Sequence, residues 1–417
     1  MSFQTGLSGL SASSQSLDVI GNNIANANTV GMKASRGEFS DLVASAIGEG
    51  GISNMAGIGV ALDTISQNFS QGTISITGNT LDVAINGGGF FQLTKTDGTT
   101  AYSRDGQFKL DKNGNIVNNA GSFVMGYPTD VNGVRTSQSP QQLVIPTGAP
   151  IAAKQTTNVV AEFNLDARAP AAATQTPPTP LSTYGTSLTV YDSQGNPTAL
   201  NMFFERAASA GTPVEDIWTV YTGATAATAT AQGVLAFDQN GVRTTNSTFP
   251  LGGTLSVTPT PVPGGSAVQP FTVTVDTSKV TQYGTNFAVS NLTQDGYTSG
   301  EFTGLAIDGK GIITTRYSNG QTLKSGGMIA LADFRNVQGL SPVGGGEFLE
   351  SFKSGAPVLG QPTVGRFGEL RAGAVEESNV DLTAELVNMM TAQRNYQANA
   401  QTIKTQDQIM STLVNLR

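Results

Sequence analysis

Three short stretches carry residue types that could do chemistry. The first is Gly87-Gly88-Gly89, whose bare amides could cradle a phosphate. A phosphate loop needs a following Gly-Lys-Ser/Thr that opens a helix, whereas Phe90-Phe91-Gln92-Leu93 follows here and reads as a strand. The run therefore reads as a tight turn or a close backbone contact. The second is Asp111-Lys112-Asn113-Gly114-Asn115, which opens like a calcium loop. The position that needs a bidentate Glu is Ser122, so a hairpin turn is the better reading. The third is Glu376-Glu377, a carboxylate pair that could do acid–base work. Neighbouring residues on a helix point apart, so this pair reads instead as charge placed to favour the N-terminus of the last helix.

Composition removes most other chemistry. The chain has no cysteine and no histidine, which excludes disulfides, thiolate nucleophiles, Cys or His zinc sites and every His-dependent triad. No Gly-x-Ser-x-Gly elbow occurs. We assign no catalytic residue, no cofactor site and no metal site, and expect no enzyme. The net charge is −8 with no basic cluster, so a nucleic-acid partner is not expected. Only 12% of residues are charged and 50 are glycine, which suits a β-rich secreted or surface protein with many turns. No apolar run reaches the ~18 residues of a membrane span, so no membrane insertion is expected. The N-terminus lacks the basic and apolar regions of a cleaved signal.

The two ends of the chain carry the clearest pattern. Leu382, Leu386, Met389, Tyr396, Ala400, Ile403, Met410 and Val414 recur at steps of four and three, interrupted by Gln393 and Asp407. This heptad predicts one long helix, roughly 50 Å at ~1.5 Å per residue, with Asn379 or Asp381 as its cap. Phe3, Leu7, Leu10, Leu17 and Ile24 lie on the same grid, with Gly31 as a helix stop. One narrow stripe cannot bury itself, so each helix needs a partner. Two readings stand: a pair inside one domain or a local dimer, or terminal helices that bundle with copies from other subunits. Asn22, Asn23, Asn26 and Asn28 crowd the end of the first helix, either as a fraying terminus or as a polar contact surface.

Between the ends the chain reads as β. At 417 residues it should hold two to three domains. Residues 32–70 read as a linker, with a short helical possibility at Phe39–Ile47 and a glycine-rich run at Gly48–Gly59. Residues 71–145 alternate in hydropathy and carry turn signals at Asp97-Gly98, Asp105-Gly106 and Asn113-Gly114. Similar turns return in 285–360, so these two pieces read as one discontinuous β domain. Residues 146–284, with proline-rich connectors, read as an inserted outer β domain, and 361–375 as a linker. Residues 1–31 and 376–417 complete the plan as a helical coiled-coil domain: mainly β, nested, with paired terminal helices.

Specific motifs carry a family resemblance. Ile20-Gly-Asn-Asn-Ile-Ala-Asn-Ala-Asn-Thr-Val-Gly-Met-Lys33, with Asn22, Asn23, Asn26, Thr29 and Gly31, resembles the N-terminal signature of bacterial flagellar axial proteins, the rod and hook subunits. Gln71-Gly-Thr-Ile, the block Leu81–Phe91, and Tyr102-Ser-Arg-Asp-Gly-Gln-Phe108 are similar to that family too. The length, the large insert and Glu377-Ser-Asn-Val-Asp-Leu382 before Ala392-Gln-Arg-Asn-Tyr-Gln-Ala-Asn-Ala400 resemble its hook branch. The resemblance covers about 1–145 and 285–417. It implies a self-assembling helical tube, a universal joint carrying torque in motility, with both helices lining an inner channel. It also implies neighbours in the rod, the hook cap and the hook–filament junction, and passage through a flagellar export apparatus. A distal rod subunit and a β-rich secreted adhesin are the alternatives.

Overall fold

The computed structural model describes residues 2–43, 57–172, 184–209, 215–225, 228–250, 253–259 and 269–415. It is mainly β, with one long helix at each end of the chain. Contacts divide it into two units, one of residues 1–148, 304–316 and 322–417, the other of 149–303 and 317–321.

In the first unit, helix α1 runs Ser2–Ala25 and helix α2 runs Leu382–Asn415. Asp381 caps α2: its Oδ1 accepts the amides of Thr383 at 2.9 Å and Ala384 at 3.1 Å, satisfying donors that the first turn leaves free. Asn379, the other expected cap, instead binds Ala34 N and the carbonyls of Asn68 and Ser70. Helix α1 stops at Ala25, before Gly31, where the i−4 ladder gives way to tighter turns: Ala27 N bonds Ile24 O and Thr29 N bonds Asn26 O.

The segment read as a linker at 32–70 is structured. Strands β1 (Ser35–Val43) and β2 (Gly57–Gln67) pair antiparallel, from Ser35↔Gln67 to Val43↔Gly57. Phe39–Val43 is therefore strand, not helix, while Ala44–Ile47 and Gly48–Ala56 lie outside the described residues. The hairpin packs on α1: a Cβ at Gly59 would lie 2.2 Å from Ser8 Oγ, and that hydroxyl accepts Val60 N. Weak local propensity hid these strands, and the surface of α1 is what orders them.

An eleven-stranded sheet forms the body of the unit among the described residues, its main path running from Ser341–Gly344 through Thr100–Ser103 and Phe90–Thr94 to Lys109–Leu110. Phe90, Tyr102, Phe334 and Phe348 pack edge to face, with Leu340 in the same apolar cluster. The stretch 361–375 joins this fabric instead of linking it. Glu369–Ala372 pairs with Val83–Asn86, and Ala374–Glu376 with Ile74–Ile76.

Among its described residues the second unit contains a five-stranded and a four-stranded sheet that share one apolar core, including Phe163, Phe204, Trp218, Phe237 and Val273. Phe271–Asp276 alternates strictly, with Phe271, Val273 and Val275 inside and Thr272 and Thr274 exposed. The unit's border lies beyond 284, because Ala288–Gln294 pairs antiparallel with Asn158–Asp166. Turn chemistry marks loops but does not say which strands will pair across them.

Asp295 clips this unit shut. Its carboxylate accepts Thr157 N at 2.8 Å, Asn158 N at 2.9 Å, the Thr157 hydroxyl at 2.7 Å and Lys154 Nζ at 3.2 Å. Burial alone would raise its pKa, but the Asn158 and Thr157 donors and Lys154 bind the charged form and hold it well below the usual carboxylate range. The folded value is depressed, so the stabilisation is complete above the unfolded pKa of ~3.9 and is lost as pH falls through the folded value. Thermal unfolding of this unit should therefore weaken between about pH 5 and pH 2, and Asp295→Asn should flatten the decline. Identical pH profiles for wild type and variant would reject this role.

Candidate assembly interface

The helices run antiparallel. A Cβ at Gly6 would lie 3.2 Å from Ile403, one at Gly9 would lie 2.9 Å from Asn399, and Asn23 reaches Glu385 at 3.3 Å. On α1, Gly6, Gly9, Ser16, Ile20 and Asn23 lie toward α2. Their spacing again fits steps of three and four, but it is offset from the expected seam. Small residues let the two backbones approach closely, and that approach decides which stripe faces inward.

The expected seam residues divide accordingly. Ile403 lies in the contact, and Met389 and Ala400 are half-buried beside it, as Leu10, Leu17 and Ile24 are on α1. Phe3, Leu7, Leu382, Leu386, Tyr396 and Met410 are exposed, Leu7 at 51% and Leu386 at 45%. The side chain of Val414 lies outside the described residues. Sequence reasoning missed Ala392, which is buried on the contact face. The steps from Met389 to Ala392 and Tyr396 were the available signal.

The signature residues have two kinds of role. Asn23 is buried, donates Nδ2 to Ser35 O at 2.7 Å and accepts Ser35 N at 2.9 Å, so its amide pairs with the start of the hairpin like a strand. Asn22, Asn26 and Thr29 bond to one another along the turn. Gly31 sits at φ 71°, with Asp105 N only 2.5 Å from where a Cβ would stand, so both conformation and space require glycine.

The glycine run is a close backbone contact. Gly87 and Gly89 have positive φ, and Gly88 O accepts Gly368 N at 2.8 Å. Asp111 closes a hairpin turn, accepting Asn113 N and Asn115 N at 2.8 Å each.

Glu376 has a different place from the one expected. It is fully buried and stands before α2 instead of at its N-terminus. Its Oε1 meets Lys33 Nζ at 2.5 Å and accepts Gly72 N at 2.9 Å, and its Oε2 meets Arg104 Nη1 at 3.1 Å. Its carbonyl accepts Gly31 N at 2.8 Å. Lys33 also donates to Ser70 O, and Arg104 donates to Gly87 O and lies over the Phe90 ring. Burial pulls the pKa of Lys33 below its ordinary value against the pull of Glu376, and it does the same to Arg104. The sequence blocks from 20–33, 71–91 and 102–108 thus converge on one carboxylate that precedes α2. This cluster fastens both helix roots to the β fabric.

These features define a first unit whose β sheet carries a helix pair with apolar side chains left exposed. Family models agree along the chain. The description "Flagella basal body rod protein" matches residues 3–33, "Flagellar hook protein FlgE/F/G D1 domain" 84–161, "Flagellar basal body protein FlaE D2 domain" 164–297 and "Flagellar basal body rod FlgEFG protein C-terminal" 371–416. This is the class of flagellar axial proteins.

Relatives narrow the class. The chain is 40% identical to the flagellar hook protein FlgE of Salmonella typhimurium over 432 aligned positions, covering 100% of both chains. It is 39% identical to that of Escherichia coli over 432 positions, again covering 100% of both chains. It is 33% identical to that of Rhizobium meliloti, covering 99% of this chain and 98% of the relative. A crystal structure of Helicobacter pylori flagellar hook protein FlgE2 shares the fold, with a TM-score of 0.52 at 15% identity, covering 72% of this chain and 100% of that one. The chain belongs to the flagellar hook protein family and is a structural subunit of the bacterial hook and basal body, serving motility.

Proposed function

We propose that this chain polymerises through its terminal helices into a flexible helical tube, which carries torque from rod to filament as a universal joint. One observation carries the reading: the helix pair spends its small residues on itself and leaves Phe3, Leu7, Leu382 and Leu386 facing outward. A helix face this apolar asks for further helices, and copies of the same chain supply them. The nested plan fits this role, with the helices as the polymerising part. The second unit presents threonine-rich strand faces, such as Thr272 and Thr274, suited to shallow contacts that can exchange as the tube bends.

The tube's neighbours in this reading are the rod subunit, the hook cap and the hook–filament junction proteins. The chain leaves the cell through the flagellar export apparatus and works outside it. No enzymatic step is assigned, and no described helix is long and apolar enough to cross a membrane.

Immunogold microscopy with antibody to residues 146–284 tests the reading. Label should fall on the short curved segment between rod and filament. Label on rods inside opened envelopes would move the chain to the rod, and label scattered away from flagella would favour an adhesin.

A further inference from the structure

Phe352 is more exposed than any other large apolar side chain described, at 104%. The turn that carries it is tightly braced. Ser354 is buried, and its hydroxyl accepts Ser351 N at 2.9 Å and donates to Ser351 O at 2.9 Å. The Ser351 hydroxyl accepts Lys353 N and donates to Gly339 O, and Asn336 Nδ2 holds Lys353 O at 3.0 Å. A Cβ at Gly339 would lie 2.3 Å from Ser354 N, so the turn is seated directly on the backbone of 336–340. An aromatic ring held out by a fixed turn has already lost the freedom that binding would cost it.

The same unit holds a cleft of about 1000 Å³. Val134, Ile312 and Met328 are its apolar lining residues, and Arg135 and Lys324 line it too. Arg135 already lies over a ring, 4.3 Å from the centroid of Tyr127, so its guanidinium is placed to meet aromatic faces. Asp308 and Glu369, also in its lining, carry carboxylates that could meet Lys353, the residue beside the knob. Knob and cleft share no residue: Val134, Ile312 and Met328 line the cleft, whereas the knob is braced by Asn336 and Gly339. A helical polymer is built from head-to-tail contacts, in which one patch of a subunit meets a different patch of the next.

We propose that Phe352 of one subunit inserts into the cleft beside Val134 of a neighbouring copy. The proposal rests on the polymer reading above and names a contact of its β body. The native chain has no cysteine, so a pair of introduced ones reports on this contact alone. Phe352→Cys combined with Val134→Cys should give a ladder of disulfide-linked oligomers in oxidised polymer. The ladder should be absent from unpolymerised protein at the same concentration and from either single variant. Phe352→Ser, which removes an exposed side chain and leaves the fold intact, should raise the critical concentration for polymerisation by about tenfold.

Polymers of the double variant without a ladder, together with an unchanged critical concentration for Phe352→Ser, would overturn the contact. So would disulfide-linked dimers in polymer of the Phe352→Cys single variant, because they place two knobs together. Failure of the wild-type chain to polymerise would overturn the polymer reading and this contact with it. Normal wild-type polymer without the ladder overturns only the contact.

Discussion

Leu386→Asp yields a chain that folds and does not polymerise. Leu386 is 45% exposed on α2, and the helix pairs with α1 through other residues, so a carboxylate there meets water in the isolated subunit. In a helical bundle the same carboxylate would be buried with no partner, which costs on the order of 3 kcal/mol or more per subunit. Every subunit in the tube bears that cost, so the effect on assembly is close to complete. Leu10→Asp should act in the same direction and with more loss of monomer stability, because Leu10 is already half-buried. Sedimentation and negative-stain microscopy read the assembly, and urea unfolding reads the β units. Normal polymers from either variant would refute the proposed seam.

Glu376→Ala should cost the first unit about 3–5 kcal/mol of unfolding free energy, because it leaves buried Lys33 and Arg104 without their shared carboxylate. Lys33→Met should cost less. It removes one charge but leaves Glu376 paired with Arg104 and bonded to Gly72 N. The order of the two variants is the informative result, since a merely crowded site would penalise both alike. Denaturant titration followed by a probe in the first unit measures it, and a loss under about 1 kcal/mol for Glu376→Ala would show that the cluster does not hold the helix roots.

The cluster also shows why part of the site was legible and part was not. Lys33, Gly72, Gly87 and Arg104 all stand in motifs that the sequence singles out, so their importance could be read without their geometry. Glu376 could not be read in the same way. Adjacent to Glu377 and close ahead of a helix, it has the local pattern of a charge placed for the helix dipole. Its true partners are 343 and 272 residues away in the chain. The β1–β2 hairpin was hidden for a related reason: its strands are ordered by packing on α1, and its connection lies outside the described residues.

What the sequence determined by itself is the inventory: two terminal helices with sticky stripes, a β body between them, a turn-rich insert and blocks that belong to one family. Local patterns suffice there, because periodicity, caps and turns are properties of neighbouring residues. Only the tertiary structure decided which stripe α1 turns inward. Hydropathy favours the leucine stripe, but Gly6 and Gly9 let α1 approach α2 most closely along the other, where Asn399 and Ile403 fill the space a side chain would take. The pair thereby packs through small residues, and Leu7, Leu382 and Leu386 stay exposed on its outer face.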